Sequence, residues 1–280
     1  MTIKKLTLIV ATVIATQLSG CATTSSTQSG AVGVERKQFL SLVSEQEAEQ
    51  QSALDYQQTI KDLQSKKILN TDSQETQRVR AIAQRLIAQV GVFRPDAKKW
   101  NWEINVQDSK EVNAYCMAGG KIMVYTGFLD QIKPTDDELA QVLGHEISHA
   151  LREHTRERMS RAKAQQYGLL AGALAVGVAT KNSDNAEAAL AVGGGLATVA
   201  LTLPNSRTAE HEADEMGLEL AARAGYNPDA AITLWQKMGA QGGNKPPEFL
   251  STHPADANRI TDLKALMSKV RPLYEAAKTK

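Results

Sequence analysis

His145-Glu146-Ile147-Ser148-His149 is the stretch on which the reading of this chain turns. Residues four apart on a helix share a face, so both imidazoles can reach a single Zn²⁺. Glu146 sits one residue on and can approach a water at that ion from the side, as a general base would. The setting is helical. Pro134-Thr135-Asp136-Asp137-Glu138 opens a helix with acids in its first turn, and the helix is predicted to run from about Asp137 past Glu157.

A catalytic zinc needs a third protein ligand and an open position. The metzincin arrangement would place Gly at 152 and His at 155, and this chain has Arg152 and Thr155 there. His154 follows His145 by nine residues. At about 100° per residue it would face the opposite side of a continuous helix. The ligand must come from elsewhere. The best segment is Ser206-Arg207-Thr208-Ala209-Glu210-His211-Glu212-Ala213-Asp214. Glu210 and Asp214 share a helical face, so one can bind metal while the other holds a ligand histidine by its second nitrogen. His211 and Glu212 are rivals for the ligand role.

Outward from these motifs, the 280 residues suffice for a large domain with a buried core. Lys and Arg total 32 against 31 Asp and Glu, so charge gives no case for a nucleic-acid partner. Two cysteines cannot build a disulfide framework. The N-terminus reads as an address. Lys4 and Lys5 precede an apolar run from Leu6 to Leu18, which is too short to span a bilayer comfortably. Leu18-Ser19-Gly20-Cys21 resembles a bacterial lipobox, which implies a signal over 1–20, lipidation of Cys21 and attachment to the membrane through it. Ala22 after that cysteine, by resemblance to known sorting rules, points to the outer membrane and a periplasmic face. Without residues 1–20, which carry two lysines and no acid, the formal charge moves from +1 to −1. Cys116 is then the remaining thiol and is expected to be buried and inert.

Residues 21–34, rich in Ser, Thr and Gly, read as a flexible tether, and 35–72 as a mostly solvated helical segment. Val79, Ile82, Ala83, Leu86 and Val90 mark an amphipathic helix over 75–90. Trp102, Ile104 and Val106 alternate as in a strand, and Lys121–Thr126 follows the turn signal Gly119-Gly120 as another. Further helices are expected over Ser206–Gly225, Pro228–Met238 and Asp256–Val270, the last stopped before Pro272. Residues 242–247 read as a loop. The apolar stretch 168–203 suits either two closely packed core helices or a hairpin dipping into a membrane; each of its halves is too short to span one.

The paired motifs resemble metallopeptidase family forty-eight, which includes the HtpX-type and Oma-type peptidases and the CaaX prenyl endopeptidase. Within it, the lipoprotein members of the LoiP kind are most alike. The family's His-Glu-x-x-His matches His145, Glu146 and His149, and its Glu-x-x-Ala-Asp matches Glu210, Ala213 and Asp214. The resemblance covers roughly residues 75–267. It implies an α+β, mainly helical, zincin-like (gluzincin) fold with a small sheet over 73–272, leaving 273–280 as a tail. It also implies one zinc per chain, with Glu210 as third ligand and Asp214 behind a histidine. Asn113 and Ala114, beside Gly119-Gly120, match the segment whose strand edge can pair with an extended substrate. Ala118 stands where relatives often carry Pro. Ser251-Thr252-His253-Pro254 with Arg259 matches the C-terminal signature, which makes His253 a candidate donor to the oxyanion. Arg207 and Arg259 are expected to pair with acids. The implied activity is endopeptidase action on polypeptides of the bacterial envelope. An alternative is a periplasmic chaperone that serves the outer-membrane assembly machinery.

Overall fold

The computed structural model describes residues 23–180, 206–241, 248–253 and 258–279. The signal and Cys21, residues 181–203 of the apolar stretch, the loop 242–247, Pro254 and the expected helix start at Asp256 lie outside the described residues.

The chain begins with two short strands, β1 (Thr23–Thr24) and β2 (Gln38–Phe39), paired antiparallel. Helices α1 (Glu45–Ser65) and α2 (Ser73–Ile87) follow. Each is opened by a side chain that accepts backbone N–H groups, Ser44 for α1 and Asp72 for α2. Such caps contribute about 1 kcal/mol each. Strands β3 (Glu103–Gln107), β4 (Ala114–Met117) and β5 (Lys121–Tyr125) form a sheet in the order β3-β5-β4. β3 runs parallel to β5, and β4 pairs antiparallel with β5. β4 is therefore an edge strand. The turn into β5 uses Gly119 and Gly120 at φ +73° and +82°, a region that glycine enters without strain. At Gly120 a Cβ would also strike the Trp102 ring.

After α3 (Thr126–Ile132) comes α4 (Asp136–Leu151), which carries the first metal motif. Thr135 and Glu138 form a reciprocal capping box at its start, at 3.2 and 2.8 Å. From Glu138 to Leu151 every residue of α4 is buried. The remaining elements are α5 (His154–Thr180), α6 (Arg207–Arg223, capped by Ser206), α7 (Ala230–Ala240), α8 (Glu248–Thr252) and α9 (Arg259–Lys278). α4 and α6 pack at bare backbone. A Cβ on Gly144 would lie 2.8 Å from the Gly217 carbonyl, and one on Gly217 would lie 2.7 Å from the His145 nitrogen.

Three expectations are corrected. The helix expected to continue past Glu157 breaks after Leu151, and Glu153 takes a positive φ of 51° before α5 starts. The expected tether is a packed strap. Val32 and Val34 enter the core, the Val32 N–H donates to Glu219 at 2.9 Å, and Lys269 reaches the Val32 carbonyl at 3.0 Å. The last helix runs through Pro272, so 273–278 continue it instead of forming a tail. Proline there costs one helical hydrogen bond, and burial of Leu263, Leu266 and Val270 on the same helix offsets it. In the apolar stretch, residues 168–172 extend α5 and are exposed.

Candidate metal centre

α4 presents His145 and His149 one turn apart, with their Nε2 atoms 3.1 Å from each other. α6 crosses against α4 at the glycine contact and brings Glu210 to the same point. Its oxygens lie 3.4 Å from His145 Nε2 and 3.3 Å from His149 Nε2. His253, at the end of α8, places Nδ1 3.2 Å from both Glu210 and His145 Nε2. Its ring stacks on Phe249 at 4.5 Å. Donor atoms from His145, His149, Glu210 and His253 all lie within 4.8 Å of one another, and all four residues are buried.

The opposite nitrogen of each α4 histidine is occupied. His145 Nδ1 bonds Asp214 at 2.9 Å, and the other Asp214 oxygen accepts from Arg259 at 2.6 Å. Arg259 also donates to Glu210 at 2.8 Å and lies over the Trp235 ring at 3.8 Å. His149 Nδ1 lies 2.8 Å from Nδ1 of His154, whose Nε2 bonds Glu212 at 2.9 Å. With their outer nitrogens tied, both histidines aim an inner nitrogen at Glu210 and at each other.

The electrostatics favour a cation at this point. Burial pulls His145 down, yet hydrogen bonds and charge from Asp214 and Glu210 outweigh it and raise its pKa to about 10. Glu210 is pushed up by burial, but His149, His145 and His253 together hold it far below the carboxylate range. Burial drives His149 well below its ordinary value, leaving the neutral imidazole that metals bind. Two imidazoles and one carboxylate, with a third imidazole alongside, form a nitrogen and oxygen donor set suited to zinc. Converging acceptors in a buried site need a positive charge between them, and a single zinc ion meets that need.

Glu146 lies beside the donors. Burial raises its carboxyl pKa, against the lowering effect of His253 and His145. It also takes a backbone hydrogen bond from Cys116 of β4. Its Oε1 is buried with no hydrogen-bond partner, and His253 Nε2 stands 3.5 Å from that oxygen. A cleft of about 540 Å³ opens over this point, between α1 and the β4 edge. Asn113, Ala114, Cys116, Glu146, His149 and His253 all border it.

Of the rivals to Glu210, His211 is half-exposed and turns to Glu215 and Asp262. Glu212 is buried but points to His154. Arg259 pairs with Asp214 and Glu210, whereas Arg207 is exposed. Cys116 is a free buried thiol, raised by burial. His154 is the clearest departure. The break at Arg152–Glu153 turns it back onto His149, where a continuous helix would have pointed it away. Arg36 and Arg152, which stand behind it, were not legible as part of the site, and Glu212, a candidate ligand by sequence, instead holds His154.

Fold and donor set together are those of a metallopeptidase. The profile described as peptidase family M48 matches residues 73–267, and the chain belongs to that family. Its relatives include the mitochondrial metalloendopeptidase OMA1 of Arabidopsis thaliana, 38% identical over 57% of this chain and 30% of the relative. The mitochondrial metalloendopeptidase OMA1 of Bos taurus is 31% identical over 80% of this chain and 43% of the relative. The β-barrel assembly-enhancing protease of Escherichia coli K12 is 26% identical over 76% and 43%. The chain thus matches less than half the length of each of these relatives. The shared domain is that of a metalloendopeptidase with zinc as its cofactor.

Proposed function

We propose that this chain is a lipid-anchored zinc endopeptidase of the bacterial envelope that removes misfolded or misassembled envelope proteins. The single observation that carries the reading is the buried, unbonded Glu146 oxygen beside the converging donors, in a cleft bordered by a strand edge. His145, His149 and Glu210 hold the ion, with Asp214 orienting His145. When bound there, zinc supplies Lewis acidity to a carbonyl and makes a neighbouring water more acidic. Glu146 Oε1 takes the proton of the attacking water and then passes it to the leaving amine. Asn113 and Ala114 border the cleft at the start of the β4 edge, along which an extended substrate would lay its scissile bond; the Asn113 carbonyl itself already accepts from the Tyr125 N–H. His253, which borders the cleft with its Nε2 3.5 Å from Glu146, is the donor to the oxygen of the attacked carbonyl in this reading.

The envelope setting rests on the Leu18-Ser19-Gly20-Cys21 motif, a LoiP-like trait, and is supported by the likeness to the β-barrel assembly-enhancing protease. A link to outer-membrane assembly machinery follows from the same likeness. No helix among the described residues is long and apolar enough to cross a membrane.

Comparing envelope proteomes from cells with wild type and with Glu146→Gln tests this. Fragments should appear only with wild type, and the variant should keep its zinc. Identical fragments in both would overturn the reading. Relief of envelope stress by Glu146→Gln equal to that of wild type would show action by holding, without cutting.

A further inference from the structure

A histidine that binds zinc through Nε2 needs its Nδ1 proton held by an acceptor, which fixes both the tautomer and the ring angle. For His145 that acceptor is the Asp214 carboxylate. For His149 it is another imidazole. α4 ends at Leu151, Glu153 reverses the chain at φ 51°, and the ring of His154 comes back to 4.9 Å from that of His149. The two Nδ1 atoms, 2.8 Å apart, cannot both donate. With the His149 Nε2 lone pair turned to the metal point, His149 Nδ1–H donates and His154 Nδ1 accepts. The His154 proton then sits on Nε2 and is donated to Glu212 at 2.9 Å.

Glu212 is in turn enclosed by two guanidinium groups. Arg152, with no exposed surface, reaches its two oxygens at 3.0 and 3.3 Å. Arg36, from the N-terminal strap, does so at 2.7 and 3.0 Å. Arg36 also clasps Glu157 through two bonds of 2.8 Å. Every member of this chain of contacts has its next partner within hydrogen-bond reach, and it runs from the strap to a metal-facing nitrogen.

We propose that His154 is the positioning residue of the zinc ligand His149, set in its tautomer by Glu212, with Arg36 and Arg152 holding Glu212. The proposal rests on the zinc reading above and extends it to residues that touch neither ion nor substrate. The test uses the purified chain. Zinc affinity is measured by competition with a chromophoric chelator, and melting is followed with and without saturating zinc. His154→Phe removes both bonds and should weaken zinc about 10- to 100-fold. Glu212→Gln keeps the volume but removes the charge and should weaken it roughly 10-fold, near the low end of that range. His154→Asn keeps a polar group near Nδ1 and should lose less than His154→Phe. In the two His154 variants the rise in Tm on adding zinc should shrink more than the metal-free Tm falls. Glu212→Gln also strips a buried acid from Arg152 and Arg36 and should lower the metal-free Tm, so there the chelator competition is the deciding readout. Wild-type affinity in His154→Phe or Glu212→Gln would overturn the proposal. So would a parallel fall of both Tm values at unchanged affinity. Should His154→Phe fail to fold, Glu212→Gln decides. If wild type itself binds no zinc, the zinc reading falls and this proposal with it; if wild type binds zinc and the variants bind equally, only this proposal falls.

Discussion

The two flanks of α4 perform the same task by different means. On one flank, His145 is held by Asp214, which lies on the helix that also supplies Glu210. On the other, His149 is held by His154, at the start of another helix, and that residue depends on Glu212, Arg152 and a strap more than a hundred residues upstream. The first flank is local: Glu210 and Asp214, four apart on α6, arrive together. The second draws on three separated segments. A defect on the first flank should therefore stay near the metal, whereas the second makes the metal sensitive to the N-terminal packing.

The largest expected effect breaks the local flank. Asp214→Ala should cost about 10- to 100-fold in zinc affinity. It also leaves the buried Arg259 with one acid partner fewer, and stability should fall by up to about 3 kcal/mol. Chelator competition and denaturant melts read the two effects separately. A smaller effect is expected from Arg36→Ala. It strips Glu212 and Glu157 of one donor each, lowering stability by about 1–3 kcal/mol. Zinc affinity should fall only a few-fold, because Arg152 still holds Glu212. Equal zinc losses in Asp214→Ala and Arg36→Ala would erase the distinction between the flanks.

The smallest effect concerns pH. Burial pushes Glu157 up, but Arg36 and Arg161 outweigh it and lower its pKa to about 2. A depressed carboxyl contributes stability above its unfolded value and loses it as pH falls through the folded one. The stability gap between wild type and Glu157→Gln should be full above about pH 5 and vanish toward pH 2. A constant gap across that range in urea melts would show that the clasp on the strap is not ionic.

Much of the local flank was legible in the sequence. His145, Glu146 and His149 are read from helical spacing, and the Glu210–Asp214 pair from the same rule. Helix starts were legible over residues 134–138, where Thr135 caps α4, and at Ser206, which caps α6. The distributed flank was not. The α4–α5 break carries neither Gly nor Pro, and Glu153 bears its positive φ because the buried Arg152 and His154 on either side are anchored by their partners. A charged run after a buried helix gives no local sign of a reversal. The strap misled through composition. Ser and Thr suggest a solvated tether, yet Ser25 and Thr27 accept from Arg152 while Val32 and Val34 enter the core. The helix through Pro272 shows tertiary burial overriding a local breaker.

The contact between Gly144 and Gly217 has a consequence for how this site can vary. The gap between the helix bearing the histidines and the helix bearing the glutamate is set by two bare backbones, not by the volume of the side chains around them. The contact acts as a gauge block. Met216, Leu220 and Leu143 are fully buried, so exchanging them costs packing energy, but it adds no atom to the contact itself. A single added methyl at either glycine would wedge the helices apart and open the coordination distance directly. Added volume is therefore least tolerated at these two points.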